Sequence, residues 1–269
     1  MHAGLNLKRH IRGNLHFDFH LREYPALYLS HTTRNLAISL IGIFIPIYIF
    51  TLAGKPLLHS SEIISNLIWT ASYVLVKDVS MLILMPWMTK EIFEKLHFKK
   101  SIFLGNLSLA ASIAVLTMAS SNPYFILVSG AIAAISGILY WTPYHLLFIR
   151  KASSQDGHYG RNFALRIMLT HGAQALGPVI GGFVIMMLGF NYLFIIGTIL
   201  IIFSSTPILF SIHEHRHNSH PAWKVFMKYF KSKSHRFDSI SIGAESLEDS
   251  LYSIFWPVLL LLVASDLSA

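Results

Sequence analysis

Long apolar stretches separated by short polar ones set the pattern of this chain. Residues 36–53, 101–149 and 167–212 contain no Asp, Glu, Lys or Arg, and residues 63–88 contain only Lys77 and Asp78. A bilayer core about 30 Å thick needs roughly 20 apolar residues in helical form, because hydrocarbon leaves no partner for unpaired backbone groups. Residues 101–149 are too many for one crossing, and Ser120-Ser121-Asn122-Pro123 supplies a turn with a helix-starting proline. Residues 167–212 divide at Gly189-Phe190-Asn191. The pattern predicts six membrane helices, over about 36–53, 63–88, 101–120, 123–149, 164–188 and 191–212. Leu251 to Ser265 is apolar again, so residues 250–269 read as the start of a seventh helix that looks cut short at Ala269.

Charge then orients the helices, since cytoplasmic segments retain Lys and Arg during insertion. Residues 1–33 with Arg34, the loop after span two, the region after span four and the segment 213–249 together hold nineteen of the 21 basic residues. Lys55 alone lies on the opposite side, and Lys77 lies inside a span. This alternation predicts a multi-pass protein of the cell's inner or plasma membrane with a cytoplasmic N-terminus. Residues 1–33 are basic and His-containing without an apolar core, so no cleavable signal peptide is expected and the first span does the targeting.

Composition agrees and narrows the chemistry. The chain is 54% hydrophobic and 13% charged, with mean hydropathy +0.54, against about 25% charged residues in soluble domains. The net charge of +8 falls in blocks between apolar runs, which suits a lipid surface and not a nucleic acid. The absence of cysteine excludes disulfides, thiolate metal sites and cysteine nucleophiles. Nucleophile elbows, phosphate loops and HExxH are missing, so no enzyme and no cofactor is expected.

Two motifs stand out. Gly177-Pro178-Val179-Ile180-Gly181-Gly182 lies in span five, where Gly177 and Gly181 form a small-xxx-small face and Pro178 permits a bend. Glu94-Lys95-Leu96-His97-Phe98-Lys99-Lys100 forms the loop between spans two and three. With tight outer turns after spans three and five and basic inner loops, these features resemble the major facilitator superfamily over residues 34–212. In that resemblance the glycine-proline run matches the family's span-five motif, and Glu94, Lys95, Lys99 and Lys100 match its acidic and basic loop signature, with His97 where the family keeps a glycine. The resemblance implies an all-α bundle of six helices built as a three-plus-three inverted repeat. It also implies secondary transport of a small solute by alternating access, with a coupling proton or cation. Family members carry two such bundles, so the chain is expected to be an N-terminal half or fragment that would need a second six-helix half.

Intramembrane polar residues are the candidates for the transport path. Asn66, Trp69, Tyr73, Lys77 and Ser80 recur every three or four residues as a stripe facing water or substrate. Lys77 would meet an anionic substrate group or a counter-charge, and Asp78 would serve as a proton site. A mutually satisfied structural pair is the alternative. Tyr140, Trp141, Tyr144 and His145 in span four would either stack on a ligand or form an interfacial aromatic belt. His171 and Gln174 would line a cavity or join two helices. The Gly-Pro run would serve packing or gating.

The segment 213–249 opens with His213, His215, His217 and His220, which supply imidazoles at metal-binding density, though Arg216 would repel a cation. Trp223, Phe226, Met227 and Phe230 lie opposite Lys224, Lys228 and Lys231 on a helix, a pattern for the inner leaflet. A divalent-metal transporter, a metal-responsive membrane protein and a non-transporting assembly partner are therefore rival readings. A di-iron enzyme lacks the required separated His boxes. A retinal receptor lacks a lysine in residues 251–269.

Overall fold

The computed structural model describes residues 23–52, 62–94, 96–153, 159–211 and 232–267. The regular structure there is entirely helical: Glu23–Gly42, Phe44–Leu52, Glu62–Glu94, Phe98–Thr117, Tyr124–Ser153, Tyr159–Leu188, Phe190–Phe203, Thr206–Ser211 and Lys233–Leu267, with a 3-10 turn at Met118–Ser120. Six segments are long and apolar enough to cross a membrane: Pro25–Leu52, Glu62–Thr89, Phe98–Ser120, Tyr124–Ile149, Gly160–Leu188 and Phe190–Phe210. These are spans one to six. The protein is an all-α, multi-pass membrane bundle.

Spans one, three and five begin well before their uncharged stretches. They start at Pro25, Phe98 and Gly160, so Arg34, Lys99, Lys100, Arg161 and Arg166 lie inside helices and do not flank them. Arg34 is tolerated there because it faces the bundle and is only 2% exposed. The segment 213–249 also differs from a simple polar linker. From Lys233 onward it is one helix that runs unbroken through Pro257 to Leu267.

Prolines fix the irregularities. A proline lacks its own N–H and its ring crowds the carbonyl four residues back. Pro46 stands four residues after Gly42, where the helix of span one is interrupted at residue 43. Pro207 stands four residues after Phe203, and the helix of span six breaks at Ser204–Ser205. In span four Pro143 frees the Leu139 carbonyl, and the Ser101 hydroxyl of span three donates to that oxygen at 2.8 Å. The freed acceptor thereby becomes an interhelical bond.

The helices pair in a crossed manner. Span one packs on span five and span two on span four, while spans three and six meet between them. Reciprocal exchange of this kind is what two inverted three-helix units produce. Glycines allow the closest approaches. A Cβ on Gly130 of span four would stand 2.7 Å from the Tyr73 carbonyl oxygen of span two. One on Gly177 of span five would stand 2.7 Å from the Leu40 nitrogen of span one and would meet the Ser39 hydroxyl. Spans two and five are the least buried, and Leu82, Trp87, Met186 and Met187 project outward from them.

Candidate functional site

The densest polar cluster sits at the end of the bundle where span one begins. Arg34 lies nine residues into span one and Tyr140 nine residues before the end of span four, about 14 Å along each helix. The Arg34 guanidinium carbon is 3.5 Å from the Tyr140 ring centroid and 5.6 Å from that of Trp141. Its Nε donates to Asn106 Oδ1 of span three at 2.8 Å. Asn106 Nδ2 in turn donates to Ser204 Oγ at 3.0 Å and Ser205 Oγ at 2.8 Å. The break that Pro207 forces in span six thus presents two hydroxyls to a buried amide. Four spans are tied to one guanidinium and its relay.

His31 lies one turn before Arg34. Its ring stacks on Tyr144 with centroids 4.3 Å apart, and its Nδ1 shares a 3.1 Å hydrogen bond with the Tyr140 hydroxyl. His145 stacks on Trp141 at 5.2 Å from the exposed side of span four. Arg166 of span five completes the cluster, with its guanidinium carbon 4.9 Å from the rings of both Phe148 and Phe163. The Tyr28 hydroxyl donates to the Asn162 carbonyl at 3.2 Å and joins spans one and five at the same level.

Tyr140 and Tyr144 are fully buried, so the aromatic residues of span four form a cage around His31 and Arg34 and not an interfacial belt. Inside a membrane a lone charge costs about 2.5–3.5 kcal/mol on insertion scales. Aromatic faces offset part of that at ~1–2 kcal/mol per desolvated contact.

The stripe on span two divides. Asn66 and Trp69 are buried, and Trp69 belongs to the apolar core and meets Tyr124 edge-on at 5.7 Å. Tyr73 lies beside Ser112 and Ser129, which bond each other at 3.0 Å. These three residues pack against the bundle and do not form a wall open to water, with the rings of Trp69 and Tyr73 filling the contact with spans three and four. Lys77 and Asp78 lie near the midpoint of the span, about one third exposed, and Lys77 Nζ reaches Asp78 Oδ1 at 3.3 Å. Ser80 is half-buried. Among the described residues this is the one ion pair. His171 Nδ1 and Gln174 Oε1 lie 3.1 Å apart on the exposed face of span five.

The residue 27–265 stretch matches the sequence profile of the Major Facilitator Superfamily. The chain belongs to that superfamily. A solved structure described as an auto-inhibited POT family peptide transporter shares the fold, with a TM-score of 0.55 at 12% identity over 90% of this chain. The chain spans about half of that transporter, 51% of its length. No curated protein matches it. The superfamily is one of carriers and not of enzymes.

Within this major facilitator bundle, the Gly-Pro run lies against span one. A Cβ on Gly181 would meet the Leu40 carbonyl and the Phe44 ring, and Gly182 sits beside the same ring. The Ser39 hydroxyl donates to the Ala173 carbonyl at 3.1 Å, five residues before Pro178 in an unbroken helix. In the first turn of span three, and not in the loop after span two, Lys99 Nζ donates to the Leu209 carbonyl at 3.0 Å, a cation at the C-terminal end of span six where the helix dipole favours it. Lys100 is exposed, and Glu94 ends its helix. Lys95 and His213, His215, His217 and His220 lie outside the described residues, as does the aromatic and basic stretch around Trp223. Among the described residues no group of three or more His, Asp or Glu is placed to hold a metal.

Sequence reading missed His31, Arg34, Asn106 and Arg166. The available signal was Tyr28, His31, Arg34 and Asn35 at helical spacing immediately before an apolar run. That spacing marks a polar face continuing into a span and not a soluble flank.

Proposed function

We propose that this major facilitator bundle carries one half of the path of a secondary transporter, moving a small solute by alternating access together with a second six-helix bundle. The observation that carries the reading is the crossed pairing of spans one with five and two with four. It leaves spans two and five with broad outward faces that bear the pair Lys77–Asp78 and the pair His171–Gln174. Opposing such a face with a second bundle would bring both pairs to a shared interface near the midplane. Lys77 then answers an anionic group, and Asp78 offers a site for a coupling proton once its lysine turns to substrate.

The test is solute-dependent flux in liposomes holding the chain with its second bundle, read by an internal pH dye across panels of anionic, neutral and cationic solutes. One solute class should give saturable flux, and Lys77→Ala should abolish it while leaving membrane insertion intact. Normal uptake in that variant would move Lys77 to a structural role, and the absence of flux with every class would overturn the transport reading.

A further inference from the structure

We infer that the seam between spans one, four and five is a binding site for a small oxyanion, a phosphate or carboxylate group, held by Arg34 and Arg166. Spans one and five pack on each other, and at their shared end they supply two guanidinium groups and further donors, with the Tyr144 hydroxyl of span four beside Arg166. Arg34 Nη1, Arg166 Nε, Asn162 Nδ2 and Thr170 Oγ1 are each buried and lack a hydrogen-bond partner. Asn162, Arg166 and Thr170 are four residues apart, so span five presents all three along one face. Arg34 approaches from span one, and His31 lies within electrostatic reach of Arg34, Arg166 and His145 together.

The charge balance points the same way. Of the carboxylates whose side chains the structure describes, Glu62 opens the far end of span two, Asp78 is paired with Lys77, and Glu245, Glu248 and Asp249 are in the last helix. Burying a charge without a partner is costly, and orphaned donors add about 1–3 kcal/mol each. Arg34 already uses Nε on Asn106, so its outer nitrogen remains free for a ligand oxygen. Two guanidinium groups with amide and hydroxyl donors match an oxyanion's several lone pairs, as a point charge such as chloride would not. The half-exposed Arg166 and the exposed His145 put one edge of the seam within reach of solvent.

The proposal deepens the transport reading and rests on it only for the purpose of the bound anion; equilibrium binding tests it without any flux. The full chain would be placed in nanodiscs of zwitterionic lipid and titrated with inorganic phosphate and with succinate, against chloride at matched ionic strength. Phosphate or succinate should bind saturably and raise the unfolding temperature where chloride does not. Arg166→Gln should weaken that binding by at least about tenfold, as should Arg34→Gln. Arg34→Lys, which keeps charge but loses the fork, should recover part of it. If Arg34→Gln fails to fold, the half-exposed Arg166 carries the comparison. Equal effects of all three anions, or binding unchanged in Arg166→Gln, would overturn the site. Retention of anionic lipid with no response to free phosphate or succinate would also overturn it, in favour of a headgroup.

Discussion

Arg34 sits where a charge should be least welcome, and its neighbours explain how it is kept. Only Nε has a hydrogen-bond acceptor at 2.8 Å; the rest of the guanidinium lies over the Tyr140 ring at 3.5 Å. The ring therefore does more than fill space, and the hydroxyl of the same residue meets His31. These two roles separate by substitution. Tyr140→Phe keeps the aromatic face and loses the bond to His31, and thermal unfolding in detergent should show a loss of about 1 kcal/mol. Tyr140→Leu also removes the face beneath the cation and should lose several kcal/mol, about 3, adding a cation–π contact and a packing defect. Equal losses in the two variants would mean that Arg34 draws nothing from the ring. Local sequence carried the polar face of span one but not its partners. Arg34 and Asn106 are 72 residues apart, and His31 and Tyr140 are 109 apart, so each half of the cage reads alone as a flanking charge or an interfacial aromatic.

At the scale of helices the sequence speaks more clearly, and the reason is the solvent. Hydrocarbon requires each crossing to be long, apolar and helical, so long apolar runs, divided at turn signals, located all six spans. It does not require the first or last turns to be uncharged when they face protein, which is why spans one and five extend past Arg34 and Arg166. Prolines give the next level of detail, since Gly42 and Phe203 mark breaks four residues before Pro46 and Pro207. The glycines divide by what they touch. Gly177 abuts the backbone of Leu40 and the Ser39 side chain, whereas nothing lies within 4 Å of a Cβ built on Gly172. Gly177→Val should force spans one and five apart and lower stability by about 1–3 kcal/mol. Gly172→Ala, in the interior of the same helix, should be neutral or raise stability by up to ~1 kcal/mol. Unfolding temperatures of the two variants beside the unaltered chain check this. A tolerated Gly177→Val would show that the two helices need not touch there.

At the scale of the whole molecule, charge alone predicts a direction for the fold. Nineteen Lys and Arg residues on one side and Lys55 on the other fit a cytoplasmic N-terminus, although Arg34, Lys99, Lys100, Arg161 and Arg166 belong within spans. Removing those five leaves fourteen against one, which still favours the same orientation. The same orientation would place the cage of His31, Arg34, Tyr140, Tyr144 and Arg166 in the cytoplasmic half of the bundle. Because the chain has no cysteine, single cysteines report sidedness without background. Ser121 is exposed in the turn between spans three and four, and Gly160 is exposed at the start of span five with open space around it. A membrane-impermeant maleimide applied to intact cells should label Ser121→Cys at once. Gly160→Cys should react only after permeabilisation. The opposite pattern would invert the protein and turn the Arg34 cage toward the outside. Labelling of both positions in intact cells would mean a mixed insertion, which a bias of fourteen to one should prevent.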